Sequence, residues 1–179
     1  MPARCIGSVA PNLALMYHRN VKVIDIFASR LLLEIAGATM SYVTLSLFFS
    51  FIGWMSPPED IGKIMIAWVM LAWFGAGLAI LMGALSERSE IIEKIWHPMA
   101  YFLFPLSGAA FTVDALPPIA QNAVLLLPMV HGVEYLREGY FGHSFRAHYD
   151  LEYMTVFCLG LTVLGLAKTR EVSRGVTPE

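Results

Sequence analysis

Hydrolysis, metal binding and nucleotide cleavage each need particular side chains at particular spacings, and this sequence offers few of them. His143, His148 and Asp150 crowd one polar stretch, yet they match no ligand spacing of a structural or catalytic zinc site, so no metal is expected. Glu34, His97 and Glu152 are ionisable groups inside or at the ends of apolar runs, where an acid–base role is the functional reading and a paired or interfacial group the ordinary one. No Gly-x-Ser-x-Gly elbow and no His-Glu-x-x-His pair occurs. A Gly-x4-Gly-Lys-Ser/Thr loop, whose backbone N–H groups would cradle phosphates, is missing as well, so no ATPase site and no cofactor are expected in this chain. Glu134 stands within helical reach of Arg137, which fits either a self-neutralising surface helix or a direct contact with a substrate. Cys5 precedes the first apolar run and Cys158 lies inside the last, an arrangement that gives no disulfide framework.

The elements that carry these residues are set by hydrocarbon. Hydrophobic residues make up 57% of the 179 and charged ones 15%, with a mean hydropathy of +0.62, which lies outside the balance of soluble domains. Four apolar runs, 31–53, 64–83, 95–113 and 151–167, approach the ~20 residues that cross a bilayer as a helix. None alternates with period two as a barrel strand would. The expected fold is therefore all-α, a single polytopic membrane domain of four transmembrane helices with short re-entrant or interfacial helices between them. The net charge of −2 gives no reason to expect a nucleic-acid partner.

Basic residues divide unevenly about these runs. Arg4, Arg19, Lys22, Arg30, Arg88, Lys94, Lys168, Arg170 and Arg174 fall on one side, whereas Lys63, Arg137 and Arg146 fall on the other. The positive-inside rule then predicts that both chain ends and the 85–94 loop are cytoplasmic. Within 12–30, apolar residues recur with helical spacing while His18, Arg19, Lys22 and Asp25 gather on another face. Such a segment either lies on lipid headgroups or docks into the groove of a soluble partner. Residues 117–142 are apolar but broken by Pro117, Pro118 and Pro128, too short for a crossing, and predict a re-entrant or interfacial helical pair that Gly139 and Gly142 could end. Gly75, Ala79 and Gly83 leave a smooth strip for helix packing. The aromatic residues, Trp73, Tyr101 and Phe104 among them, serve interfacial anchoring and packing or stack on sugar rings in a pore.

Three stretches carry a family resemblance: Val-Lys-Val-Ile-Asp-Ile-Phe-Ala-Ser-Arg-Leu-Leu-Leu-Glu at 21–34, Pro-Met-Val-His-Gly-Val-Glu-Tyr-Leu-Arg-Glu-Gly-Tyr-Phe-Gly at 128–142, and Lys-Thr-Arg-Glu-Val-Ser-Arg at 168–174. They resemble the ABC-2 type permeases that export capsular polysaccharide, O-antigen or teichoic acid, the capsule-export inner-membrane proteins above all. The resemblance implies six membrane helices, of which the four runs here are the third to the sixth. It places His18, Arg19, Lys22 and Asp25 in the coupling region against a separate nucleotide-binding ATPase subunit, which would use the ATP. It places Glu134, Arg137, Glu138, Tyr140 and Phe141 in a periplasmic gate spanning 117–142. Further implied are a second permease copy, a polysaccharide substrate, surrounding lipid, periplasmic or outer-membrane export proteins, and an inner-membrane location. The family's first two spans have no counterpart in Met1 to Ser8, so a truncated product, a misassigned start or a fragment is the expectation, with a non-transporting scaffold or inactive permease fragment as the alternative function.

Overall fold

In hydrocarbon, backbone N–H and C=O groups find partners only within helices or a closed barrel, and these apolar runs take the helical solution. The computed structural model describes residues 1–18 and 21–176, and no strand occurs among them. The helices are α1 (Pro2–Cys5), α2 (Leu13–His18), α3 (Val23–Ile52), α4 (Ile61–Ser86), α5 (Glu90–Leu106), α6 (Pro118–Val124), α7 (Pro128–Phe141) and α8 (Leu151–Val176). Short 3-10 turns form at Ala10–Asn12, Val113–Ala115 and Gly142–Ser144.

Three of these helices, α3, α4 and α8, are long and apolar enough to cross a membrane. The first begins at Val23 rather than at residue 31, because Val23, Ile26, Phe27 and Leu31 make one buried stripe at helical spacing that extends the helix upstream of the apolar run. The fourth expected crossing, 95–113, is not among them. There the chain forms the 17-residue α5, whose first turns carry Glu90, Glu93 and Lys94. Pro98 and Pro105 each remove a backbone donor from it, and the chain turns away at Gly108, whose φ of +83° suits glycine.

The chain divides into two compact units. Unit one holds Met1–Ile35, Trp73–Tyr101 and Cys158–Glu179. Its core comprises Cys5, Val9, Val23, Phe27, Leu31, Ala79, Ala84 and Val172. The small-residue strip of α4 acts here: a Cβ at Gly83 would lie 3.0 Å from Cys5 Cβ and from the Phe27 ring, and one at Gly75 would lie 2.7 Å from Met1 Sδ. Gly77 stands about 200° around the helix from Gly75, and that second face receives α8: a Cβ on Gly77 would stand 3.2 Å from Leu161, and one on Gly165 would meet the backbone of Leu81 at 3.2 Å. Small side chains on two faces let one helix be approached closely from two directions.

Unit two holds Ala36–Ala72 and Phe102–Phe157. In it α7 packs on the early turns of α4 through Gly132 and Gly139, one above the other at heptad spacing. Added Cβ atoms there would lie 2.7 Å from Leu71 Cδ2 and 3.0 Å from the Ile64 backbone nitrogen. Gly139 therefore does not end the helix, as its residue type led us to expect, but lets it lie against its neighbour. Gly142 ends it, with φ +61° and Glu59 occupying the space a Cβ would need.

Candidate functional site

The most heavily bonded part of unit two is built around α7. Glu134 is completely buried. One carboxylate oxygen accepts the Val113 N–H at 3.3 Å and meets Arg137 Nη1 at 3.3 Å, while the other accepts the His148 N–H at 3.3 Å. Arg137 also donates to the carbonyls of Phe111 and Ala109. One carboxylate and one guanidinium thus fasten the irregular segments on either side of α6–α7 to the middle of the helix. They satisfy backbone groups that regular structure leaves open.

Other backbone groups of this region are matched in the same manner. The last carbonyls of α7 lack helical partners, and Asp60 and Glu59 fill the role by donating N–H to Gly139 O at 2.9 Å and Tyr140 O at 3.4 Å. Lys63 pairs with Glu138 at 2.8 Å across the same contact. His131 is buried, and its Nδ1 accepts the Asp150 N–H at 2.9 Å. Its other nitrogen, Nε2, lies 2.8 Å from Leu125 O, so both ring nitrogens have backbone partners. Tyr153 donates to Leu126 O at 2.9 Å, which ties the start of α8 to the α6–α7 turn.

Beside this assembly a groove of about 510 Å³ opens between α3 and α4. Tyr42, Val43, Met65, Trp68 and Tyr140 are among its lining residues. The Tyr42 and Trp68 rings stack at 5.1 Å, Trp68 donates to Thr39 Oγ1 at 2.9 Å, and the buried Tyr140 hydroxyl has no hydrogen-bond partner among the described residues.

The structure separates the residues of the 12–30 segment. A 3-10 turn, the short α2 and the first turns of α3 replace a continuous amphipathic helix. His18 ends α2, Arg19 lies outside the described residues, and Lys22 and Asp25 are exposed. The Lys22 N–H bonds to Asp25 Oδ2 at 2.8 Å, so this carboxylate caps the start of α3. Met16 packs on the core of unit one, whereas Leu13 and Leu15 face outward. Among the aromatics, Trp73 donates to Thr162 Oγ1 at 3.0 Å in unit one, while Tyr101 and Phe104 are largely exposed. Glu34 pairs with Arg4 at 3.1 Å. Asp150 Oδ1 accepts the Tyr153 N–H at 3.0 Å as the cap of α8, and no group of three His, Cys, Asp or Glu placed to hold a metal occurs among the described residues.

The family model for ABC-2 type transporters matches residues 8–141. The chain belongs to the ABC-2 type transporter family. It is 39% identical over 98% of its length to the capsule polysaccharide export inner-membrane protein BexB of Haemophilus influenzae. It is 41% identical over 97% of its length to the corresponding protein CtrC of Neisseria meningitidis serogroup A, and 26% identical over 94% to the polysialic acid transport protein KpsM of Escherichia coli. In each case it spans 66% of the relative's length, just under two thirds.

The ABC-2 match runs from beside α1 to the last residue of α7, so it takes in both helices of the α6–α7 assembly but not His148, Asp150 and Tyr153, which bond to it. Sequence reasoning singled out Glu134, Arg137 and Glu138 in this ABC-2 segment but passed over His131, Gly132, Glu59 and Asp60. His131 carried one usable signal, a lone histidine in an apolar run that is buried only when both ring nitrogens are bonded. Glu59 and Asp60 act through backbone N–H groups, which no residue type advertises.

Proposed function

We propose that the chain is the membrane-spanning permease part of an ABC transporter that exports a capsular or related cell-surface polysaccharide across the bacterial inner membrane. The observation that carries this reading is its identity of 39% with a capsule-export protein over nearly its whole length. A separate nucleotide-binding subunit supplies the energy, since the sequence has no phosphate-binding loop, and ATP is then a ligand of that partner alone. Two permease copies form the path for the polymer, lipid surrounds them, and periplasmic or outer-membrane proteins continue the route. Both ends of this chain face the cytoplasm, as the distribution of Lys and Arg favours.

The ATPase contact falls on His18, Arg19, Lys22 and Asp25. Exposed Leu13 and Leu15 beside them supply the apolar anchors that a helix docking into a groove requires. The gate falls on 117–142, with Glu138, Tyr140 and Phe141 toward the moving end of α7 and Glu134–Arg137 holding the assembly together. Trp73, Tyr101 and Phe104 are the aromatics assigned to the polymer path, and the outward position of Tyr101 and Phe104 favours this for those two.

The test is a chimera in which this chain replaces the matching part of BexB, expressed in a capsulated strain lacking its own BexB. Capsule should return to the cell surface. A chimera that inserts in the membrane at normal abundance, binds the ATPase subunit and still leaves the polymer inside would overturn the proposal.

A further inference from the structure

The end of α8 and the beginning of α3 enclose two adjoining recesses in unit one, of about 260 and about 350 Å³, that share Lys22, Arg170 and Ser173. Arg174 lines one of them, and Ile24, Leu166 and Thr169 line the other. Three cations therefore converge, two from α8 and one from the residue before α3, and no carboxylate among the described residues lines either recess. The neighbouring acids make their bonds elsewhere. Glu171 pairs with Arg88 at 2.8 Å and Lys168 at 3.2 Å and is near enough to Arg174 for their charges to interact, and Asp25 accepts the Lys22 backbone N–H. Arg170 and Arg174 are one helical turn apart, so both guanidinium groups reach the same side of α8.

Position decides what such a recess can take. The apolar part of the membrane-crossing α8 gives way to charge at Lys168, so the three cations stand at the level where a crossing helix leaves hydrocarbon. Leu166 and Ile24 lie on the apolar side of the first recess and the cations surround the second. An anionic phospholipid has that same division, with acyl chains beside its glycerol and a phosphate above. Guanidinium forks bind phosphate oxygens in pairs, and basic pockets between membrane helices bind such headgroups. We propose that Lys22, Arg170 and Arg174 hold the phosphate of an anionic phospholipid, with Leu166 and Ile24 against its chains. The bond is noncovalent, and through Lys22 the site adjoins the ATPase contact proposed above.

The full chain, reconstituted in nanodiscs of mixed phosphatidylglycerol and phosphatidylcholine, tests this by native mass spectrometry of the lipids it retains. Wild type should retain phosphatidylglycerol over phosphatidylcholine, and the K22Q/R170Q/R174Q variant should lose about tenfold or more of that preference. The control R146Q, in unit two, should keep it. R170K/R174K should recover part of the preference, since charge remains and the fork is lost. The unfolding midpoint of each variant is measured alongside, and the comparison uses R170Q/R174Q if the triple variant does not fold. Equal retention of the two lipids by wild type, or an unchanged preference in folded glutamine variants, overturns the proposal. Displacement of the lipid by millimolar glycerol phosphate would overturn the lipid source in favour of a soluble phosphate, and so would preference lost equally in R146Q, which would mark a diffuse charge effect.

Discussion

Glu134 in unit two and Glu34 in unit one are both carboxylates on long-chain helices with an arginine partner, and they do different work. Glu134 is fully buried and takes two backbone N–H groups besides Arg137, whose own donors go to two carbonyls. Glu34 meets Arg4 with side chains 33% and 70% exposed. The first pair closes open backbone groups in irregular chain, and the second joins two helical segments at a wet or interfacial surface. An ion pair thus takes its importance from the backbone it satisfies and from how little solvent remains to replace it.

The strongest way to break that contrast is Glu134→Ala. It leaves a guanidinium with 17% exposure and two N–H groups without an acceptor, and breaking a buried pair typically costs about 3–5 kcal/mol. The thermal unfolding midpoint of the purified chain in detergent should drop by many degrees, or the protein should fail to accumulate. A loss as small as that of a surface pair would show that water enters the α7 assembly and solvates Arg137.

Gly139→Leu attacks the same assembly without touching charge. The new side chain must displace Ile64 and Lys63, each already within 3.0 Å of a single added carbon, and overpacking of this type costs about 1–3 kcal/mol. It should also disturb the Asp60 N–H bond to Gly139 O, read as faster amide exchange at residues 59–60. Glu34→Gln sharpens the other side of the comparison. It removes charge from a pair open to solvent, and the midpoint should move by the equivalent of less than about 1 kcal/mol.

The helical class and the three crossing helices were legible in the sequence because apolarity and length are local properties. The resemblance was legible through 128–142, whose residues become α7. The upstream start of α3 was hidden, since Val23, Ile26 and Phe27 belong to a stripe read as amphipathic, and only Cys5, Val9 and Val172, distant in sequence, turn it into core. The true bounds of the 95–113 run were hidden for a related reason. Those residues are apolar, yet α5 runs from Glu90 to Leu106, with two prolines inside it and a positive-φ glycine just beyond. Glu134 was singled out for its distance from Arg137, but its burial depends on loops at 107–113 and 145–150 that carry no recognisable pattern. Of the four residues assigned to coupling, the structure describes the exposure of Lys22 and Asp25, and the character of their neighbours, Leu13 and Leu15, emerges only from which side of α2 the core leaves uncovered.

Glu87 provides the smallest test, because it stands between the two extremes. It is partly buried and accepts one backbone N–H, from Val9 at 3.2 Å, which fastens the residues before α2 to the end of α4. Burial raises its pKa above the ordinary 4.5, with the Val9 bond drawing it partly back and the nearby charge of Glu93 adding to the rise. A carboxyl group raised in the folded state contributes stability that is complete below its unfolded pKa and is lost as pH climbs through the folded one. Glu87→Gln keeps an oxygen for Val9 and has no charge to bury. The variant should match wild type at pH 4 and exceed it at pH 7, by no more than about 2 °C in the unfolding midpoint given the partial exposure. A variant less stable than wild type at pH 7 would mean that the charge-assisted bond to Val9 outweighs desolvation, which would place Glu87 with Glu134 as a carboxylate valued for the backbone it satisfies.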